Sequence, residues 1–168
     1  TQSQLSEQIS SPVSATVFSR VIIDLSEIFV ENRIIHDKDF SRAYFEQSRL
    51  VNITFVDCNF ESAVFVRSHI TGCLFQGCNL ARSNIGACNV KASQFRQCNM
   101  EETVLSSATI DGSEFLECHF SQNIIKNQTL TGSVILRSSF FGVVVEGGEF
   151  RNVDIEQTRL ERVMCQKV

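Results

Sequence analysis

At 168 residues and 43% apolar side chains, the chain is long and apolar enough to bury one continuous core. Its formal net charge of −4 offers no basic stripe for direct nucleic-acid binding. No apolar run approaches the ~20 residues that a membrane-spanning helix needs.

Residues 1–15 are polar, rich in Ser and Gln, and lack the basic start and apolar stretch of a secretory signal; they read as a flexible N-terminal segment. Over residues 16–34, after Pro12, the only proline, Phe18, Val21, Ile22, Leu25, Ile28 and Phe29 recur at helical spacing. That predicts an amphipathic N-terminal cap over an open end of the domain. In a competing reading, Leu25, Val30 and Ile35 already follow the next segment's period, which makes this stretch an irregular first coil. The chain lacks an initiator Met and stops at Val168 just past its last regular unit, so it reads as a domain excised from something larger.

From Ile35 to Leu160 every fifth residue is a large apolar side chain: among them Ile35, Phe40, Phe45, Leu50, Phe55, Phe60, Phe65, Ile70, Phe75, Leu80, Ile85, Val90, Phe95 and Met100, continuing to Ile155 and Leu160. Neither the 3.6-residue period of a helix nor the 2.0 period of a flat strand puts such a set on one buried side, so the chain must turn at a fixed interval. Two residues before these anchors the side chain is usually small, as at Ala43, Ser48, Cys58, Ala63, Cys78, Cys98, Thr103 and Ser138. Anchor and small neighbour both point inward, and the pattern predicts a solenoid over residues 35–165.

Units such as Cys78-Asn79-Leu80-Ala81-Arg82 and Ala63-Val64-Phe65-Val66-Arg67 resemble the pentapeptide-repeat family, whose pattern is A(D/N)LXX. The resemblance covers about three quarters of the chain. It implies an all-β fold, a right-handed quadrilateral parallel β-helix in which four units make one square coil. Roughly six and a half coils, at the ~4.8 Å spacing of stacked strands, make a rod about 30 Å long. Anchors twenty apart form internal columns, one of them the ring ladder Phe55, Phe75, Phe95 and Phe115. Gly72, Gly77, Gly112, Gly132, Gly142 and Gly147 all fall two after an anchor, where the chain turns a corner.

No catalytic, cofactor or metal site is expected. Cys58, Cys73, Cys78, Cys88, Cys98 and Cys118 occupy the small inward slot and Cys165 the anchor phase, so all seven read as core filler. A straight column of thiols does not converge tetrahedrally on zinc. His69 and His119 point outward, and carboxylates such as Glu101, Glu102, Glu114 and Glu117 lie on convex faces without a pocket. Reduced thiols place the folded domain in a reducing, cytoplasmic compartment.

Function is therefore sought on the outside. The column one before the anchors on the second face reads Tyr44, Val64, Asn84, Val104, Ile124 and Val144, where the resembling family places Asp or Asn. An exposed apolar stripe follows, extended around a corner by Phe141, while Leu116 and Leu136 make a second outward pair. Such a surface commonly marks a protein interface or self-association; the alternative is a face covered by the N-terminal segment. The uncapped C-terminal end is a second place for a partner or another copy. The resemblance also implies an alternative role, that of the quinolone-resistance proteins, acidic rods that mimic DNA and bind type II topoisomerases such as gyrase. Here basic residues interleave with acidic ones (Arg42, Ser62, Arg82, Glu102 in one column), which is not the sustained negative field a mimic needs. The preferred expectation is a non-catalytic protein-interaction or scaffold domain of a bacterial protein. Bacterial secretion-associated and effector proteins also carry such repeats, which leaves delivery into a host or target cell open.

Overall fold

Five residues make one side of a square because three of them are extended and two turn the corner. The computed structural model describes residues 23–166, and its strands beyond the first coils are three residues long, such as His69–Thr71, Leu74–Gln76 and Val134–Leu136. Each is centred on an anchor. The residue two after every anchor is left-handed, from φ 47° at Arg137 to φ 66° at Gly147. Glycine holds only some of these corners; Asp57, Arg82 and Glu117 adopt the same φ. That conformation costs about 1–2 kcal/mol per non-glycine residue. It is offset because the corner N–H donates across to the next coil, as from Asp57 to the Gln76 carbonyl and from Arg137 to the Glu156 carbonyl, at 2.9 and 3.1 Å.

Coil stacks on coil in parallel register, twenty residues apart. We number the faces by their anchors. The first carries Phe40, Phe60, Leu80, Met100, Phe120, Phe140 and Leu160, and the second Leu25, Phe45, Phe65, Ile85, Leu105, Ile125, Val145 and Cys165. The third runs from Val30 and Leu50 to Phe150, and the fourth from Ile35 and Phe55 to Ile155. Strands Phe29–His36 and Arg49–Val56 bend around the corner between the third and fourth faces and join them into one twelve-stranded sheet. The first and second faces pair through isolated bridges up to His119 and Val104, and through three-stranded sheets beyond.

The corners are of two kinds. After the first- and second-face anchors up to Leu105 the anchor carbonyl accepts the N–H three residues on, closing a turn, as from Ala43 to Phe40 (3.0 Å) and from Ser83 to Leu80 (3.1 Å). After the third- and fourth-face anchors the corner is open, and the inward slot of the next coil supplies the donor. Cys78 Sγ donates to the Phe55 carbonyl at 3.6 Å, Cys98 Sγ to Phe75 at 3.3 Å, and Cys118 Sγ to Phe95 at 3.2 Å. Ala43, Ala63 and Ala108, which cannot donate, all follow closed turns.

The expected ring ladder is present. Phe75 and Phe95 stack at 4.9 Å between centroids and Phe95 and Phe115 at 5.0 Å, within 7° of parallel. Two expectations change at the ends. Residues 23–34 are not helical: Leu25, Ile28 and Val30 are buried in solenoid phase, and Asp24 already pairs with Tyr44. The rest of the expected cap, including Phe18, Val21 and Ile22, and the segment 1–15 lie outside the described residues. At the other end Phe150, Ile155, Leu160 and Cys165 keep the anchor phase but are exposed, because no described coil stacks on them. Cys165 is therefore not core filler.

Candidate functional site

The apolar column expected on the second face is one straight line on the structure. Tyr44, Val64, Asn84 and Val104 follow each other as bridge partners, and Ile124, Val144 and Met164 continue the line as paired strand residues. Each sits one before its anchor, so its side chain stands outward while the anchor fills the axis. Tyr44 is 39% exposed, Val104 40%, Ile124 52% and Met164 55%; Val64 and Val144 are half-buried between their neighbours. Asn84 interrupts the line, its Oδ1 turned back to accept the Gly86 N–H at 2.9 Å. Met164 extends the stripe beyond the residues that the sequence singled out. It stands twenty residues after Val144, and only its distance from the last regular units hid it.

Phe141 is exposed one residue after its first-face anchor, around the corner from Val144, and the Arg162 guanidinium lies 5.3 Å from its ring centroid. A cation over an aromatic face keeps the ring partly covered and oriented. Leu116 and Leu136 are direct register partners on the fourth face, half-buried, with Val134 exposed nearby.

The polar surface is tied up across coils. Arg82 pairs with Glu61, and Lys126 with Glu146 and Arg137 with Glu117, both at 3.0 Å. His36, His69 and His119 are exposed, and His119 Nδ1 shares a 2.7 Å hydrogen bond with Ser139 Oγ. Among the described residues no three His, Cys, Asp or Glu side chains converge on a point that suits a metal ion. All seven cysteines are free thiols, six of them buried. Among the described residues no helix is long and apolar enough to cross a membrane.

Inside, the axis is filled unevenly. Three of four anchors are Phe in the coils Phe40–Phe55 and Phe60–Phe75, but only one in each of the next three coils. The deficit leaves an apolar cavity of about 280 Å³, reaching from Leu105 and Ile110 to Leu160 and Cys165 at the last described coil.

Two family profiles match the chain: "Pentapeptide repeat region" over residues 68–160 and "Pentapeptide repeats (8 copies)" over residues 39–77. No curated protein sequence matches it. A pentapeptide repeat protein from the Arabidopsis thaliana thylakoid lumen is similar in structure at TM-score 0.51 and 16% identity, over 54% of this chain and 63% of that one. The chain thus spans about 63% of the length of that relative. QnrB1, a plasmid-mediated fluoroquinolone resistance protein, aligns over 88% of this chain and 86% of its own at TM-score 0.46 and 15% identity. HetL, a pentapeptide repeat protein involved in heterocyst differentiation regulation from the cyanobacterium Nostoc, aligns over 84% and 86% at TM-score 0.26 and 11% identity.

Proposed function

The chain belongs to the pentapeptide-repeat family, and from that premise we propose that it is a non-catalytic protein-interaction or scaffold module. Its partner docks on the second-face column. The observation that carries this reading is the run Val104, Ile124, Val144 and Met164, four apolar side chains in consecutive coils, with Phe141 at the adjoining corner. Parallel stacking holds these side chains about 4.8 Å apart on a stiff support, so a partner meets a preorganised strip. The Asn and Asp that line the first face at the same phase bind their own turns; the second face uses that position for apolar contact instead. Six buried free thiols support a reducing, cytoplasmic setting.

The net charge of −4 favours, as a second reading, an acidic mimic of DNA that binds a type II topoisomerase. Pairing of Glu61, Glu117 and Glu146 with basic neighbours argues against it, since the field of a mimic must stay negative along the rod. A supercoiling assay with the purified chain separates the two: inhibition at micromolar concentration or below supports the mimic, and no effect removes it.

For the interaction module, a photocrosslinking side chain placed at Val104 or Ile124 is expected to trap a protein partner or a second copy. The same group at Arg67 or Asp154 is expected to trap none. The double substitution Ile124→Asp and Val144→Asp should abolish the adduct formed from Val104 while leaving the circular dichroism unchanged. Equal crosslinking from all four positions, or adducts that survive the double substitution, would overturn the assignment.

A further inference from the structure

The outer column leaves one feature of the molecule unused, the apolar bore inside the C-terminal coils. From Leu105 to Cys165 its lining climbs three coil steps, about 14 Å at the spacing of stacked strands. A volume of 280 Å³ spread over that depth leaves a mean cross-section of about 20 Å², which is that of one extended polymethylene chain. One lining residue breaks the apolar rule. Gln128 stands at the inward slot, where the same column has Ser48, Ser68, Cys88 and Ala108. It is 3% exposed, and its carboxamide makes no hydrogen bond to any described residue. In the coil above, the slot is Gly148, at φ 101°, where an added Cβ would lie 2.4 Å from the Gln128 carbonyl oxygen. The space over Gln128 is thus kept free of a side chain.

A buried amide without a partner costs stability unless something meets it. We propose that the bore is a binding site for an unbranched aliphatic molecule of about ten carbons carrying one uncharged hydroxyl or carbonyl group, which pairs with Gln128. The carbon count follows from about 27 Å³ per methylene, close to the ~30 Å³ share of a liquid water. Three competitors fit less well. A peptide brings an N–H and a C=O with every residue, and a bore with one amide leaves most of them unpaired. A fatty-acid carboxylate must give up its hydration with no cation among the lining residues. A second copy of the chain can cover the mouth, but a flat coil end leaves the deeper space around Leu105 and Ile110 unfilled.

Cys165 provides the readout. It lines the mouth and is the exposed one of the seven cysteines, so a thiol reagent titrates the entrance while the other six stay buried. With the full chain, 1-decanol is expected to slow labelling of Cys165 saturably and at least tenfold, and decanoate at pH 8 to need at least tenfold higher concentration. Gln128→Met, which keeps the length of the side chain and removes the amide, should weaken protection by decanol about tenfold and leave protection by decane unchanged or improved. Ile135→Phe, which lengthens the ring ladder into the bore, should weaken both. Absence of saturable protection, an undiminished preference for decanol in Gln128→Met, or protection that follows protein concentration in sedimentation instead of added alcohol would each overturn the assignment.

Discussion

Cys88 illustrates what an inward slot demands of a single residue. Its thiol donates to the Phe65 carbonyl at 2.6 Å, and burial pushes it up to about 12, from an ordinary value of 9.0. Cys73, donating to the Leu50 carbonyl, is pushed up for the same reason. A thiol that holds its proton more tightly when folded confers stability that is complete below the unfolded value near pH 9. That stability is lost as pH rises toward 12, at up to about 1.4 kcal/mol per pH unit for each such group. Cys88→Ala removes this dependence at a slot that accepts Ala elsewhere. We expect the variant to be less stable than the parent in urea at pH 8, and the gap to close or reverse by about 2–3 kcal/mol by pH 11. Parallel stability profiles would refute the assignment. The sequence placed Cys88 inside by phase alone. The hydrogen bond it makes was not legible, because Ala43, Ala63 and Ala108 share the slot; only the split between closed and open corners explains where a donor is needed.

Along the first face one element depends on side-chain amides. Asp39, Asn59, Asn79 and Asn99 stand in one outward column, and each Nδ2 donates to the Oδ1 one coil back, at 3.0, 3.1 and 3.3 Å. The same Oδ1 atoms accept the N–H two residues on, for example Ala81 to Asn79 at 3.1 Å, which fixes the chain into the closed turn. At His119 the amide column stops and the following corner, after Phe120, is open. On the second face the turns after Phe45 and Phe65 close without such amides, so the column reinforces the turn rather than creating it. Asn79→Asp keeps the turn acceptor and loses one rung, costing about 1 kcal/mol; Asn79→Leu loses both rungs and the turn contact and should cost about 2–3 kcal/mol. Equal stability of the two variants in thermal unfolding would show that the rungs contribute nothing. The first coil was read less well than this column. Ile23, Leu25, Ile28 and Val30 alternate slot and anchor at spacings of two and three, and that spacing imitates the i, i+3 signature of a helix. Five-residue phase separates the two readings once Val30 and Ile35 are counted with Leu25.

For the whole rod, stacking makes stability a sum of neighbour terms, so uneven filling of the axis becomes uneven stability along it. The Phe-rich coils pack ring on ring: Phe45 on Phe65 at 4.8 Å, Phe40 on Phe60 at 5.2 Å, and both pairs touch edge-on. Beyond Phe120 the same square is lined by Ile125, Leu130, Ile135 and Val145, and the missing volume is the bore. Each anchor was legible in the sequence. The cavity was not, because volume is a sum over four faces that lie five residues apart, and phase records only that a side chain points inward. Surface charge was legible in outline, since interleaved signs in the columns become the Glu117–Arg137 pair twenty residues apart. Such exposed pairs add little, about 0–1 kcal/mol each, and leave the gradient to the core. Hydrogen exchange then has a defined expectation. Amides that bridge the Phe-rich coils, such as Phe60 to the Asn79 carbonyl and Phe65 to the Asn84 carbonyl, both at 2.7 Å, should exchange only with global unfolding. Amides of Arg159 and Met164, bonded at 3.0 Å to the coil below, should exchange through local opening, with protection at least a hundredfold lower, a difference of about 2.7 kcal/mol. Uniform protection from Phe60 to Met164 would mean that the coils unfold as one unit and that the thinner core carries no energetic cost. A gradient that breaks near Leu105 instead locates the change where the filling changes, and ties the most mobile coils of the rod to the ones that surround the cavity.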